Sequence, residues 1–290
     1  WYLDRLGDFH LSQSEVALTA AQRAHLDAGP AGSTLRLYHK TLSRQVRATA
    51  PAAASPLYVS GAEAPERFPV RENGVSYELG FSEGYSVGLF LDQRDNRRRL
   101  LTGHVAAGFA LELSGAEVLN TFAYTCGFSV CAALGGARTT SLDLSKKYLA
   151  WGQRNFVLNG LDPAAHDFIH GDAFDWLRRL ARKERRFDAV LLDPPTFSQS
   201  RDSGVFRAGK DYGKLVAAAL PVLKPGGVLF ASTNAGDVAP EAFLATIRAA
   251  VSACGRTAMT EHYVPQPPDF PVSRAEPAYL KTAWLRVGQD

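Results

Sequence analysis

The pattern of apolar and polar positions along this chain changes character near residue 116. Ahead of that point, the clearest signal is the strict alternation of apolar residues from Val75 to Phe81. Asn73 and Gly74 separate this run from residues 70–72, which have the composition of a preceding strand. Because Asn-Gly between alternating strands is typical of a type I′ turn, we expect a β-hairpin here.

After residue 116, short apolar runs alternate with segments of helical length. The runs predicted as strands cover residues 117–122, 139–142, 167–169, 187–192 and 227–232. This rhythm indicates an α/β fold, a doubly wound and mostly parallel sheet. Two last strands, near residues 259–264 and 281–287, leave no room for a crossover helix between them. We therefore expect them to pair antiparallel.

Weaker signals come from the first 62 residues. They predict a helix over residues 13–27, strands over 34–38 and 57–60, and a flexible stretch over 48–55. We expect two parts of the chain: a small N-terminal accessory α+β region with the hairpin, residues 1–84, and an α/β domain, residues 85–290.

In the α/β part, one helix has recognisable ends. Ser145 can cap its start, and Asn159 with Gly160 can close it. Residues 149, 152 and 156 fall on one face, which we expect to be buried.

Composition narrows the class of protein. The chain has 290 residues, of which 46% are hydrophobic and 21% charged, as in an ordinary globular protein. We see no membrane-spanning run and no signal peptide, so we expect a cytoplasmic protein without a membrane partner. Since the chain opens on Trp1 and its only methionine is Met259, we also expect that an upstream segment has been removed.

The three cysteines show no metal-ligand spacing and no disulfide framework, so we expect no metal. Cys131 and Cys254 lie in apolar helical stretches and are expected to be small core residues. Cys126 is interpreted as a small residue in a tight loop.

The most informative stretch follows the apolar run 187–192. Asp193 ends that run and is followed by Pro194 and Pro195, then by Thr196 and Phe197. The prolines fix φ and lack an N–H, so the chain leaves the sheet as a stiff loop. Ligands of open α/β sheets bind where strands end, and a carboxylate with an aromatic ring there suits a flat substrate that carries N–H groups.

Three further strand ends carry polar or small residues. The first strand runs into residues 120–127, where small and hydroxyl side chains let backbone approach a ligand at a helix N-terminus. Asp143 ends the second strand, where it can accept both ribose hydroxyls of a nucleoside. Asp172 follows the third, where it can accept an adenine amino group. Each acid could instead serve only as a helix cap. Because no phosphate cradle is present, a nucleoside without a polyphosphate is favoured, and S-adenosylmethionine is the common cofactor of that kind.

This ordered set resembles the motif series of class I S-adenosylmethionine-dependent methyltransferases. Residues 88–97 resemble, more narrowly, a signature of the bacterial large-subunit ribosomal RNA methyltransferases that make 5-methylcytosine or 7-methylguanosine. Residues 71–74 and 279–281 fit the same group. The resemblance covers residues 68–290 and implies a Rossmann-like, mostly parallel seven-stranded sheet with an antiparallel last strand. No PUA domain, which the 5-methylcytosine enzymes carry, is evident in residues 1–62.

The resemblance also implies roles for individual residues. Asp143 would hold the ribose of S-adenosylmethionine, and Asp172 with Ala173 the adenine. Gln93 and Arg94 would close over the site. The residues that would wrap the methionine end of the cofactor are Asn120, Phe122, Tyr124, Thr125 and Gly127.

One departure from the group bears on the chemistry. The 5-methylcytosine enzymes use a cysteine nucleophile after the fifth strand, where this chain has Thr233. Because a threonine hydroxyl is far too basic to replace that thiol without an activating base, 5-methylcytosine formation is disfavoured. A ring nitrogen already owns a lone pair, so we expect direct in-line transfer to a ring nitrogen, with guanine favoured.

In this mechanism, Asp193 and the Pro194 carbonyl orient the base, with Pro195 in the same loop, and Phe197 stacks on it. Thr196, Tyr212 and Asn234 would contact the substrate, although Tyr212 could equally be a core residue. RNA phosphates could meet either of two arginine clusters. The first comprises Arg94, Arg97, Arg98 and Arg99, and the second comprises Arg178, Arg179, Arg182, Lys183, Arg185 and Arg186.

The expected function is thus an RNA base methyltransferase, with ribosomal RNA as the substrate and a homodimer as one possible source of RNA affinity. Two alternatives stay open. The chain could methylate a protein side chain or a small molecule, or it could be a non-catalytic RNA-binding or ribosome-assembly factor.

Overall fold

The computed structural model describes residues 2–27, 35–42, 54–84, 86–200, 204–270, 272–273 and 277–289. The chain forms two compact units, Trp1–Phe90 and Leu91–Asp290. Residues 48–53 of the stretch expected to be flexible lie outside the described residues.

The first unit contains a four-stranded sheet, one described helix and a separate hairpin. Their bounds are β1 Tyr2–Leu6, β2 Phe9–Ser14, α1 Ala20–Asp27, β3 Leu37–Thr41, β4 Leu57–Ser60, β5 Phe68–Glu72 and β6 Val75–Leu79. The sheet has the order β1-β2-β3-β4, in which only β2 and β3 run parallel. The helix α1 occurs between these two strands, as a parallel connection requires a crossover.

The helix predicted over residues 13–27 begins later than expected. Residues 13 and 14 end β2, so this part of the prediction is wrong. The Thr19 hydroxyl accepts the Gln22 amide N–H at 3.2 Å, and the Gln22 side chain accepts the Thr19 amide N–H at 2.9 Å. This capping box sets the helix start. The strand predicted over residues 34–38 overlaps β3 only at residues 37 and 38; residues 35 and 36 precede the strand, and residue 34 lies outside the described residues. The strand over residues 57–60 is confirmed.

The predicted hairpin is confirmed as β5 and β6. Their register pairs Glu72 with Val75, so Asn73 and Gly74 form a two-residue turn. Both turn residues have positive φ, 52° and 85°, which is the geometry of a type I′ turn. Phe68 of β5 and Tyr77 of β6 are buried.

The second unit is an α/β domain. Its strands are β7 His104–Ala106, β8 Phe109–Ala110, β9 Glu117–Thr121, β10 Arg138–Asp143, β11 Asp167–His170, β12 Phe187–Leu192, β13 Phe197–Ser200, β14 Gly204–Arg207, β15 Leu223–Thr233, β16 Arg256–Pro265 and β17 Lys281–Gln289. Its helices are α2 Arg94–Thr102, α3 Gly127–Leu134, α4 Lys146–Leu158, α5 Ala173–Arg182, α6 Ala208–Ala219 and α7 Pro240–Ala253. Within the described ranges, every helix is too short or too polar to cross a membrane.

Seven strands form one sheet with the order β11-β10-β9-β12-β15-β17-β16. The pairs from β11 to β15 are parallel, and β17 pairs antiparallel with both β15 and β16. The predicted fold class is thereby confirmed, including the antiparallel last strand. The short hairpins β7-β8 and β13-β14 were not predicted, because two to four residues give too little periodicity.

Helices cover both faces of this sheet. On one face, α5, α6 and α7 pack on a core that includes Leu119, Val190, Leu229 and Leu285. On the other face, Phe230 lies between Phe128 of α3 and Trp284 of β17, with ring centroids 5.4 and 4.6 Å apart. The central strands are therefore apolar on both sides, which explains their continuous apolar runs.

The helix α4 has the ends that the sequence predicts. The Ser145 side chain accepts the Tyr148 amide N–H at 3.2 Å, and Gly160 follows the last turn with φ 72°. Its buried face includes Leu149, Gly152 and Phe156. A Cβ on Gly152 would lie 2.2 Å from Cys126 Sγ, so this glycine allows α4 to approach the loop after β9 closely.

We expect Gly152→Ala to destabilise the protein, although alanine normally stabilises a helix interior by about 1 kcal/mol relative to glycine. The added methyl group would overlap a fully buried thiol, and overpacking of this kind costs about 1–3 kcal/mol. Denaturant unfolding measures the change. Gly213→Ala in α6 is the matched control, since its Cβ would meet only ordinary contacts at 3.4 Å or more. Equal stability of the two variants would contradict this packing argument.

Candidate active site

The carboxyl ends of four adjacent strands define the candidate site. In the sheet, β9 lies between β10 and β12, and the strand order reverses there. Open α/β sheets bind ligands at such a switch point. The described chain thus brings together the loop after β9 and the acids Asp143, Asp172 and Asp193.

The loop after β9 has an unusual backbone. Phe122, Tyr124 and Cys126 have φ values of 57°, 48° and 61°, in the left-handed region that non-glycine residues seldom adopt. Strain of this kind is characteristic of functional sites. Phe122 and Tyr124 are partly exposed, as is Gly127, which begins α3.

Asn120, near the end of β9, and Thr125 of the loop are directed inward. Asn120 is buried, and its Nδ2 donates to Ser129 Oγ of α3 at 2.9 Å. Thr125 is buried too, and its carbonyl oxygen accepts Asn155 Nδ2 of α4 at 2.9 Å. The Asn120 side chain and the Thr125 backbone are thus tied to the helices behind the loop, and these bonds support its shape.

Asp143 connects the loop to the next strand end. Its two carboxylate oxygens each accept a backbone N–H at 2.8 Å, one from Tyr124 and one from Ser145. Burial raises the pKa of this carboxyl, and the two amide hydrogen bonds oppose the rise. The carboxylate is therefore fixed beside the strained loop.

Asp172 is the N-cap of α5. One of its oxygens accepts the Asp175 amide N–H at 3.1 Å, so the capping role considered from the sequence is present. Asp172 and the adjacent Ala173 are buried, one strand away from Asp143. A nucleoside base between the ends of β10 and β11 would lie against these two residues.

Asp193, directly after β12, is held by groups from distant parts of the chain. Gln93 Nε2 lies 3.3 Å from both carboxylate oxygens and 2.8 Å from Ser232 Oγ. Burial raises the pKa of Asp193 to about 6; the Asp92 carboxylate adds to this rise, whereas the Ser232 hydroxyl, Arg97 and Gln93 oppose it. The Gln93 amide donates to this carboxyl, so Asp193 acts as a hydrogen-bond acceptor in this arrangement.

Tyr212 is a core residue of α6. It is buried, its hydroxyl donates to the Leu192 carbonyl at 2.9 Å, and it accepts the Ser232 amide N–H at 2.7 Å. It thus joins the ends of β12 and β15 beneath Asp193. Of the two sequence interpretations, the structure favours the core tyrosine.

The loop after Asp193 leads into the β13-β14 hairpin. Pro194 is buried, whereas Pro195 and Thr196 are exposed. Thr196 Oγ1 donates to Asn234 Oδ1 at 2.7 Å, so these two predicted substrate residues meet. Phe197 is partly exposed, with the Arg207 guanidinium 6.0 Å from its ring centroid. A flat group could reach this ring beside Asp193.

The arginines of the first cluster lie in different environments. Arg94 forms an exposed double hydrogen bond with Asp269, at 2.7 and 3.0 Å. Arg97 is buried, and Arg99 donates to the carbonyl oxygens of Asp95 and Val105. Arg98 is exposed, whereas Arg94 and Arg99 are partly exposed and already bonded within the chain, so few of these charges are available to RNA.

The second arginine cluster lies around the end of α5 and the start of β12, at the opposite end of the parallel strands from Asp193. Arg178 and Arg179 pair with Asp175, and Arg185 pairs with Glu117 and Asp167. These ion pairs favour a solvated structural surface.

The cysteines are placed partly as expected. Cys126 and Cys131 are buried, but Cys254 is exposed at the end of α7, so its expected core position is wrong. The helix ends there and turns the residue outward. Burial raises the pKa of the Cys126 thiol to about 12, which makes it a poor nucleophile. Among the described residues, acidic, histidine and cysteine side chains form no group that could hold a metal ion.

Sequence reasoning missed several buried contacts of the segments before α2 and before β17. Asp92 accepts the Tyr279 hydroxyl at 3.1 Å, and Lys281 Nζ donates to the carbonyl oxygens of Tyr279 and Ala235. The resemblance of residues 88–97 and 279–281 marked these segments without assigning contacts. No pattern in the sequence assigned a role to Ser232.

The arrangement fits an S-adenosyl group. Two fixed carboxylates on neighbouring strands offer acceptors for ribose hydroxyls and an adenine amino group, and partly exposed Phe122 and Tyr124 line the strained loop beside them. Of the residues expected to wrap the methionine end, Tyr124 is bonded directly to Asp143 through its backbone amide.

Comparison with known proteins agrees with this geometry. A sequence profile described as S-adenosylmethionine-dependent methyltransferase matches residues 10–286. The fold is similar to the crystal structure of SMU.776, a candidate methyltransferase in complex with SAH. The two chains are 31% identical in sequence and superpose with a TM-score of 0.81, and the match covers 98% of this chain and 70% of that chain.

Two curated relatives are each 37% identical to this chain. YwbD of Bacillus subtilis, a candidate ribosomal RNA large subunit methyltransferase, aligns over 226 residues, which is 76% of this chain and 54% of that protein. A ribosomal RNA large subunit methyltransferase of Deinococcus radiodurans aligns over 220 residues, 75% of this chain and 51% of that protein. The chain thus spans about half the length of each. On the profile match and the strand-end geometry together, this chain belongs to the family of S-adenosylmethionine-dependent methyltransferases.

Proposed function

We propose that this chain transfers the methyl group of S-adenosylmethionine to a ring nitrogen of an RNA base, with ribosomal RNA as the substrate and guanine as the favoured base. The observation that carries this proposal is the Asp193 carboxylate at the switch point, beside a strand end that has Thr233 in place of a thiol.

The cofactor half of the site comprises the loop after β9, Asp143 and Asp172. Asp143 would accept the ribose hydroxyls, because its carboxylate is fixed by two backbone amides. Asp172 and Ala173 would contact the adenine. Phe122, Tyr124 and Gly127 would face the methionine end, and Asn120 and Thr125 would hold the loop. Bound S-adenosylmethionine supplies a methyl group activated by its positively charged sulfur.

The base half comprises the Asp193 loop and the end of β15. Asp193 and the Pro194 carbonyl would accept N–H groups of the base, and Phe197 would stack on its ring. Thr196 and Asn234 would close the edge of this half. Catalysis by these groups is mainly orientation, since they bring a nitrogen lone pair into line with the methyl group.

Direct transfer follows from the missing nucleophile. Attack by a ring carbon requires a covalent thiol adduct in the 5-methylcytosine enzymes, and Thr233 is buried with its hydroxyl accepting the Ala235 amide N–H at 3.3 Å. A ring nitrogen needs no such adduct.

The choice of ribosomal RNA rests on the curated relatives, which are named for methylation of large-subunit ribosomal RNA. Residues 1–84 would serve as the accessory region, with residues 85–290 as the catalytic domain. Because this chain spans half of those relatives, RNA affinity would come from the first unit, from a further segment or from a second copy.

The test of function uses methyl-labelled S-adenosylmethionine with separate pools of unmodified ribosomal RNA, transfer RNA and total protein. We expect label in ribosomal RNA, and mass spectrometry of the nuclease digest should identify a ring-methylated guanosine. The Asp193→Ala protein is the control, since it should lose transfer.

Other outcomes of this experiment are decisive as well. Label in 5-methylcytosine would contradict the nitrogen mechanism. Label only in protein, or transfer that persists after ribonuclease treatment, would contradict the RNA substrate. Absence of any label despite binding of S-adenosylmethionine would favour a non-catalytic RNA-binding role.

Thiol chemistry gives a second test. Because Cys126 and Cys131 are buried and Cys254 is exposed, we expect a thiol reagent to modify one cysteine in the native protein and all three after denaturation. The modified protein, and a Cys126→Ala variant, should retain methyl transfer within about threefold of the parent. Loss of transfer by a factor of about a hundred or more in a folded Cys126→Ala protein would indicate a thiol nucleophile instead.

A further inference from the structure

A chain of buried polar side chains runs from the last strand to Asp193. Trp284 Nε1 donates to Asn96 Oδ1 at 3.0 Å, and Asn96 Nδ2 donates to Gln93 Oε1 at 2.9 Å. Gln93 Nε2 then reaches Asp193 and Ser232. Trp284, Asn96 and Gln93 are 0%, 2% and 3% exposed, so water does not compete for these groups.

The direction of every hydrogen bond in this chain follows from one group. An indole N–H can only donate, so Asn96 must present its oxygen to Trp284. The Asn96 amide nitrogen then faces Gln93, which must accept with its own oxygen. The Gln93 amide nitrogen is consequently directed at Asp193. Reversing either amide would place two donors or two acceptors against each other in a buried site.

Neighbouring bonds support this direction. Asn96 Nδ2 also donates to Thr282 Oγ1 at 3.2 Å, and that hydroxyl uses its proton on the Val264 carbonyl at 2.7 Å. Thr282 can therefore only accept from Asn96. Two residues of β17, Trp284 and Thr282, thus fix the orientation of the Asn96 amide.

We propose that Trp284, Asn96 and Gln93 form a positioning relay, which fixes the hydrogen-bond direction at Asp193 and makes this carboxylate an acceptor toward the substrate. The substrate group that meets Asp193 is then a donor, such as an N–H on the edge of a base. None of the three relay residues needs to touch the base for this effect.

Charged groups around Asp193 act on the same carboxylate. Arg97 of α2 favours its ionised form, and Asp92 opposes it. The Tyr212 hydroxyl of α6 lies beneath, and the pKa of Tyr212 is raised well above its usual value, first by burial and then by Asp193. Among these charges, the relay contributes a neutral hydrogen-bond donor that stabilises the ionised carboxylate. Removing the Gln93 donor should therefore raise the pKa of Asp193.

The test compares two neutral substitutions in the relay with two matched controls. Gln93→Met removes the donor itself, and Trp284→Phe removes the indole N–H that sets the direction. Gln13→Met is the control for a glutamine that donates to an aspartate outside the relay, since Gln13 Nε2 donates to Asp4 Oδ2 at 2.7 Å. Phe230→Leu is the control for lost packing, because Phe230 contacts Trp284 without a polar group.

Two readouts are measured on the full chain. Carbon NMR of the labelled aspartate carboxyls gives the titration midpoint of Asp193, identified by its absence in Asp193→Asn, and needs no substrate. The pH profile of methyl transfer to an unmodified large-subunit ribosomal RNA transcript gives the corresponding midpoint for activity. Thermal unfolding verifies that each variant is folded.

We expect Gln93→Met to raise both midpoints by about one unit, with activity recovering at high pH, because a hydrogen bond to an ionised group changes its ionisation equilibrium about tenfold. Trp284→Phe should raise the midpoints in the same direction by a smaller amount. Neither control should move them.

Unchanged Asp193 midpoints in both folded relay variants, or equal shifts in the controls, would overturn the relay. The inference relies on the proposed function only in taking Asp193 as the group that meets the substrate. If the parent methylates no RNA, the proposed function is wrong, but the NMR titration still tests whether the relay exists.

Discussion

The candidate site is organised around the Asp193 carboxyl, at the partly buried end of β12. Removing a carboxylate from water is unfavourable, and Asp92 adds repulsion. Hydrogen bonds from Gln93 and Ser232 and the positive charge of Arg97 offset these two unfavourable effects. These residues come from the segment before α2, the end of β15 and α2 itself, so the carboxylate links three elements of the second unit.

The same constraint explains why much of the surrounding structure is polar but buried. Asn96, Thr282 and Ser232 lie inside the domain, and all are hydrogen-bonded. Tyr212 fixes the backbone on the opposite side by joining Leu192 to Ser232. A buried polar network of this kind specifies one arrangement, because any unpaired member would be costly.

Sequence reasoning found the features that arise from local pattern. Parallel strands place their carboxyl ends at one edge of a sheet, so the neighbouring positions of Asp143, Asp172 and Asp193 could be expected from their order along the chain. The turn at Asn73 and Gly74 could be predicted in the same way, because Asn and Gly favour the positive φ that both residues adopt. In these cases, the residues that determine the structural feature all lie within one short segment of the chain.

The features that were missed depend on contacts between distant residues. Gln93 and Ser232 are 139 positions apart, and Asn96 and Trp284 are 188 apart. The helix over residues 13–27 was predicted too long because β2 takes residues 13 and 14, which a helical pattern cannot reveal. Cys254 was expected in the core because its helix is apolar, yet it lies at the exposed end.

In the proposed function, the site has a cofactor half around Asp143 and a base half around Asp193. Calorimetric titration with SAH tests that division most directly. Asp143→Ala should weaken SAH binding by about tenfold or more, since it removes the acceptor for the ribose hydroxyls. Asp193→Asn should bind SAH within about twofold of the parent. Unchanged binding by Asp143→Ala, or an equal loss in Asp193→Asn, would contradict the division.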